Sequence, residues 1–169
     1  EGCYIYPRID WPLLYGHTEG LGCLSGCLAG DIPQKIVSGR YDEAKRKALE
    51  LREACGEDCY LELQRHGIPD EDAAARGLIR LHEETGIPLA LTNDAHYIDK
   101  KDAYYQDVLM CIQTGKTVDE AERMRFETQE FYLKSEEEMR ALFPGQEEAA
   151  DSTALIAHKC SFDIEFGRY

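Results

Sequence analysis

No run of the chain approaches the roughly 18 consecutive apolar residues that a membrane-spanning helix requires, and no basic, apolar, small-residue leader opens it. A soluble protein is expected. Basic charge is also scarce: 19 Lys and Arg stand against 33 Asp and Glu, for a formal net charge of -14. A surface of that sign repels phosphate backbones, which argues against a general nucleic-acid-binding face and makes cations the better-matched ligands. A disulfide framework is wanting too. The seven cysteines are odd in number and scattered through helical and strand patterns, so reduced thiols in a cytoplasmic protein fit better. Repeats and low-complexity segments are missing. So is an initiator methionine, and patterned sequence begins at once, so the chain reads as a segment of something longer.

What is present is a single-domain length of 169 residues with α/β rhythm. Short apolar runs alternate with amphipathic helices, the pattern of parallel strands joined by helical crossovers. Strands are expected near 21–25, 59–64 and 88–92. A short helical turn begins near Asp31 and Pro33, and a longer helix over 42–55 aligns Ala44, Ala48, Leu51 and Cys55, with Gly56 as its stop. Asp70 opens another helix through Ala74, Leu78 and Leu81 that Gly86 ends. A third helix over 102–113 is expected to turn Ala103, Leu109 and Ile112 to the core. Residues 130–134 look strand-like, and Ser135 with Glu138 forms a capping box for a helix that Pro144 and Gly145 break. A last helical run reaches Cys160, and 162–166 alternates like an edge strand.

The chemistry concentrates at the expected strand ends. In PLALTNDAHY (88–97), an apolar strand runs into Asn93, Asp94 and His96, at the carboxyl end where barrel and open-sheet enzymes build their sites. Asp94 and His96 are two residues apart and in extended geometry project to one side, so a carboxylate and an imidazole can grip one zinc, manganese or iron ion, or two adjacent ions. The plainer alternative is a capping aspartate and a loop histidine. GLGCLSGCLAG (20–30) places Cys27 just past a strand, where its thiolate is expected to converge with Asp94 and His96 on one cation, and Cys23 inside it, packed; the plainer alternative for both is a buried inert thiol. In CYLELQRH (59–66), Glu62 and Gln64 share a face and His66 follows in the exit loop. These three, with Asn93, are candidates for supporting rather than ligating roles. TGKT (114–117) lacks the earlier glycine of a phosphate loop and follows a helix, so it reads as a helix-ending turn. Cys55 and Cys59 have no second pair to make a zinc knuckle, and His17, His82 and His158 sit in helical or turn contexts with no acidic or thiol neighbour at strand-end spacing.

Five segments in order, LSGCLAGDIP (24–33), YLELQRHGIPD (60–70), TNDAHY (92–97), CIQTGKT (111–117) and RFETQEFYLKSEEEM (125–139), resemble the alpha subunit of bacterial DNA polymerase III, of the main replicative type. The resemblance covers nearly the whole chain. It implies the second half of a PHP domain: a partial, distorted seven-stranded (β/α) barrel over residues 1–124, with 125–169 forming a closing strand and helices that lead toward the polymerase core. It also implies up to three divalent metal ions, zinc, manganese or iron, in the intact domain, with Cys27, Asp94 and His96 among their ligands. The family's remaining ligands would precede residue 1, so no catalytic residue is assigned to the isolated chain.

The implied parent is a DNA-directed DNA polymerase whose PHP portion contributes to a phosphoesterase or 3′-5′ exonuclease site. Its partners would be the remainder of the alpha subunit, DNA through the full-length protein, and proofreading and clamp subunits, with no membrane. Two alternatives are a scaffold that props the polymerase thumb or docks a proofreading subunit, and a stand-alone PHP phosphatase.

Overall fold

The structure, a computed structural model, describes residues 8–167. After a short helix α1 (Trp11–Tyr15), three strands follow, each trailed by helices. They are β1 (Cys23–Leu24), β2 (Cys59–Leu63) and β3 (Leu89–Leu91), with α2 (Asp31–Val37) and α3 (Tyr41–Cys55) between the first two and α4 (Pro69–Thr85) between the last two. The strands lie in the order β1-β2-β3, all parallel, with Leu61 opposite Leu89 and Leu63 opposite Leu91. Crossover helices bury such a sheet on both faces, which is why β3 reads as an unbroken apolar run and β2 is apolar apart from Glu62. Leu61, Leu63, Leu81 and Ile87 sit fully inside the core.

Local chemistry sets the element ends. Pro69 occupies the first turn of α4, where its missing N–H costs nothing, and Glu71 reaches back to the Ile68 N–H at 3.1 Å, so the helix begins one residue earlier than Asp70 suggested. Gly86 closes it in the left-handed region at φ 69°. The expected capping box at Ser135 is formed: its hydroxyl accepts from the Glu138 N–H, and the Glu138 carboxylate accepts from the Ser135 N–H at 2.8 Å. TGKT ends α5 (Ala103–Thr114) as a turn, with Gly115 at φ 66°.

Four expectations are corrected. The first strand is only two residues long, because the chain turns at Gly26 immediately beyond it. Residues 130–134 form not a strand but a single parallel bridge, Tyr132 against Tyr97. No strand forms over 162–166, where Phe162, Ile164 and Phe166 are exposed. Helix α5 is rotated from its expected face: Met110 and Cys111 are buried, while Leu109 and Ile112 are 59% and 71% exposed. A fifth concerns thiol state. Cys23 and Cys55 are joined as a disulfide, because β1 lies beside the strand that follows α3 and the two Cα atoms approach to 6.4 Å.

Beyond α5, helices α6 (Glu136–Leu142) and α7 (Glu147–Lys159) return to the sheet. Phe143 and Ala149 join the same core as the strands, and the Thr153 hydroxyl donates to the Leu91 carbonyl at 2.7 Å. The outer side of β3 is thereby covered. Between α2 and α4 the approach is close enough that a Cβ on Gly77 would lie 2.3 Å from Ile36 Cγ2. Gly77→Ala is therefore expected to destabilise by about 1 to 3 kcal/mol through overpacking, against the roughly 1 kcal/mol that helix propensity alone would gain. Urea unfolding of Gly77→Ala, Ile36→Ala and the double variant checks this: the double variant should be more stable than the sum of the single losses.

Candidate functional site

Parallel pairing brings the carboxyl ends of β1, β2 and β3 to one rim. At its centre is Glu62, on β2. One of its carboxylate oxygens accepts from the Gly26 N–H at 3.0 Å, and the other accepts from Gln64 Nε2 at 2.9 Å and from the Thr92 hydroxyl. Gln64 Nε2 also donates to Thr92 Oγ1 at 2.9 Å, and the Glu62 N–H donates to Ser25 Oγ at 2.8 Å. One carboxylate therefore ties together the exits of all three strands.

His66 closes the second layer. It is 2% exposed, with Nδ1 2.8 Å from Glu71 Oε1, while Glu71 Oε2 accepts from the His66 N–H at 2.6 Å. Nε2 receives the Asp94 N–H at 3.3 Å, and the ring lies parallel to Phe131 at 4.5 Å between centroids. Burial pushes the Glu71 carboxyl up, but the hydrogen bonds from the His66 side chain and from the His66 and Ile68 backbones outweigh it and hold the group below its ordinary value.

At the exit of β3, Asp94 and His96 come together as their spacing implied, with Asp94 Oδ1 3.2 Å from His96 Nε2 and both side chains open to solvent in part. The His96 N–H donates to the Phe131 carbonyl at 2.7 Å, and its ring rests on Phe126 at 4.7 Å. Asn93 holds the Tyr132 carbonyl at 2.7 Å. Cys27 stands elsewhere: it is exposed on a small cleft lined by Gly26, Glu62, Gln64 and Glu71, on the β1 side of Glu62. Among the described residues no three His, Cys, Asp or Glu side chains form a cage for one metal ion.

As donors, a carboxylate and an imidazole with one face open suit zinc, manganese or iron, so the Asp94 and His96 pair fits two positions of a cation's shell. Cys27 lines a cleft together with Glu62, the carboxylate that binds the exits of β1 and β3. Cys59, by contrast, is an inert thiol at the start of β2, which burial pushes up to about 11. His82 and His17 bond to backbone carbonyls of Ile87 and Leu13, in keeping with structural roles.

The sequence reading missed Glu71, Thr92 and the two phenylalanines. The clue to Glu71 was present: a carboxylate two residues after Pro69 sits where a first-turn glutamate reaches back across a helix start. Nothing local announced Phe126 and Phe131, which arrive from a distant loop.

A parallel sheet with polar groups gathered at its carboxyl rim, crossed by helices, defines an α/β domain. Residues 1–66 match the family profile described as "PHP domain". The sheet runs beyond that match, since β3 begins at Leu89. Over nearly its whole length the chain is similar to proteins named DNA polymerase III subunit alpha. It is 45% identical to that of Borreliella burgdorferi over 98% of the chain, 46% to that of Treponema pallidum over 97%, and 41% to that of Thermus aquaticus over 99%. The chain spans 15%, 14% and 14% of those relatives' lengths. It aligns with one segment of such subunits, and the first part of it matches the PHP profile. No helix among the described residues is long and apolar enough to cross a membrane.

Because the folded Glu71 carboxyl lies below its ordinary value, folding favours its charged form. That stabilisation is whole above the unfolded value of about 4.3 and drains away as pH falls through the folded one. Glu71→Ala leaves a buried imidazole and two backbone N–H groups without their acceptor. A loss of about 3 kcal/mol is expected in urea unfolding at pH 7, narrowing as the pH is taken below 4.

Proposed function

We propose that the chain is the C-terminal half of the PHP domain of a replicative DNA polymerase III alpha subunit, and that it supplies Asp94 and His96 as ligands of a divalent-cation centre. Residues 1–124 belong to the barrel and 125–169 lead out of it toward the polymerase core. The observation that carries the ligand reading is the 3.2 Å contact of Asp94 and His96 on a strand exit whose backbone is held by His66 and Phe131. Cys27 is a further ligand of that centre, which holds up to three zinc, manganese or iron ions and is completed by groups outside the described residues.

Bound cations of this kind lower the pKa of water and stabilise the leaving oxygen of a phosphodiester, the chemistry of a 3′-5′ exonuclease. The chain's own residues hold and orient. Glu62, Gln64 and Thr92 lock the strand ends in register, Asn93 anchors the loop to Tyr132, and His66 fixes the Asp94 backbone. The full protein acts as a DNA-directed DNA polymerase in the cytoplasm. It meets DNA through other regions, since a segment with net charge -14 repels phosphate. Proofreading and clamp subunits are its expected partners.

A second reading, a scaffold for the thumb or a proofreading subunit, draws on the exposed face of α5, where Tyr104, Tyr105, Leu109 and Ile112 lie open. A stand-alone phosphatase loses ground because similarity to the polymerase subunits runs well past residue 66. In the full-length subunit, the Asp94→Ala, His96→Ala double variant should lose at least one bound metal ion by elemental analysis. Removal of 3′ nucleotides should fall by on the order of 100-fold. His158→Ala, on the exposed side of α7, should match the parent in both. Unchanged metal content and nuclease rate in the double variant would exclude the assignment.

A further inference from the structure

We infer that His66, oriented by Glu71, is the positioning residue that sets the direction of the Asp94-x-His96 turn. The inference rests on the reading of that turn as a pair of cation ligands. A turn between two ligands must be held from its backbone, because the side chains themselves are committed to the ion. Here one imidazole does the holding. At neutral pH the Glu71 carboxylate only accepts, so Nδ1 of the ring carries the proton, and the Asp94 N–H only donates, so Nε2 presents its lone pair.

The ring's face lies on Phe131, whose carbonyl takes the His96 N–H at 2.7 Å and the Tyr97 N–H at 3.4 Å. An edge of the imidazole thus fixes Asp94, and its face supports the residue that fixes His96. Moving the ring displaces both ligands together.

The orientation depends on which nitrogen is protonated, and Glu71 decides that. Glu71 Oε2 already accepts from the His66 and Ile68 N–H groups at 2.6 and 3.1 Å. In Glu71→Gln the amide oxygen keeps those two donors, which turns the NH2 group toward Nδ1. The imidazole must then accept there and carry its proton on Nε2, where it faces the Asp94 N–H donor to donor. A change of one atom at residue 71 thus reaches residue 94 without removing any bulk from the core.

The experiment uses the full-length subunit and reads two quantities: hydrogen exchange of a peptide carrying the Asp94 amide, and affinity for Mn2+. Glu71→Gln is expected to speed exchange at Asp94 by tenfold or more and to weaken Mn2+ binding by 10- to 100-fold. His66→Leu, which keeps volume but has no acceptor, should do the same. His66→Gln, whose amide oxygen can take the Asp94 N–H, should recover part of both.

Unchanged exchange and Mn2+ affinity in both Glu71→Gln and His66→Leu would overturn the inference. So would exchange that rises equally across β2, α4 and the Asp94 peptide, because that is the signature of a merely structural pair. If Asp94→Ala binds Mn2+ as the parent does, the ligand reading fails, while the exchange data still decide the positioning role.

Discussion

A parallel sheet gathers the ends of its strands on one side of the molecule, and the middle strand is the natural place from which to hold both neighbours. β2 and the loop that leaves it do this with two side chains. Glu62 spans sideways, taking a backbone N–H from the exit of β1 and a hydroxyl from the exit of β3. His66, a turn further on, takes the Asp94 N–H beyond β3. Backbone groups at strand exits have left the ladder and must find other partners. Side chains of β2 supply them, and the loops bearing Cys27, Asp94 and His96 inherit their positions from that strand. Because β2 is buried along nearly its whole length, packing passes its rigidity directly to the rim.

Sequence patterns carried the frame well wherever structure is local. The apolar run of β2, the Ala44, Ala48, Leu51 stripe, the Ser135 box and the Asp94, His96 contact all follow from spacings within a few residues. The parts that failed to show were set at long range. Whether 130–134 and 162–166 become strands depends on an available sheet edge, and α7 covers the outer side of β3. Helix α5 could turn either of two apolar stripes inward. Met110 and Cys111 face the core, a choice made by tertiary packing that its own residues do not fix. The Cys23–Cys55 bridge likewise follows from the pairing of β1 with β2, a contact that no count of cysteines contains.

The rim is acidic but not uniformly so. Lys134 is buried close by, its ammonium donating to the Glu130 carbonyl and lying 4.3 Å from the Tyr132 ring. Burial pushes this group down from its ordinary value, and the nearby Glu130 carboxylate pulls the other way. Lys134 comes from the segment that also carries Phe131, the platform for both histidines, and Tyr132, the partner of Asn93. The stretch after residue 125 is therefore a wall of the rim.

Strand spacing bears directly on how the donor groups divide. Adjacent strands lie about 4.8 Å apart, so loops leaving β1 and β3 are separated by about 10 Å, with β2 between them. A tetrahedral ion with bonds of about 2.0 to 2.3 Å holds its donors within about 4 Å of one another. A cation shared by Cys27 and the Asp94, His96 pair would have to be reached by side chains that bridge that separation. The group that lies between them is Glu62, and both of its oxygens are spent on Gly26, Gln64 and Thr92. It works as a strut that ties the exits of β1 and β3 to the middle strand.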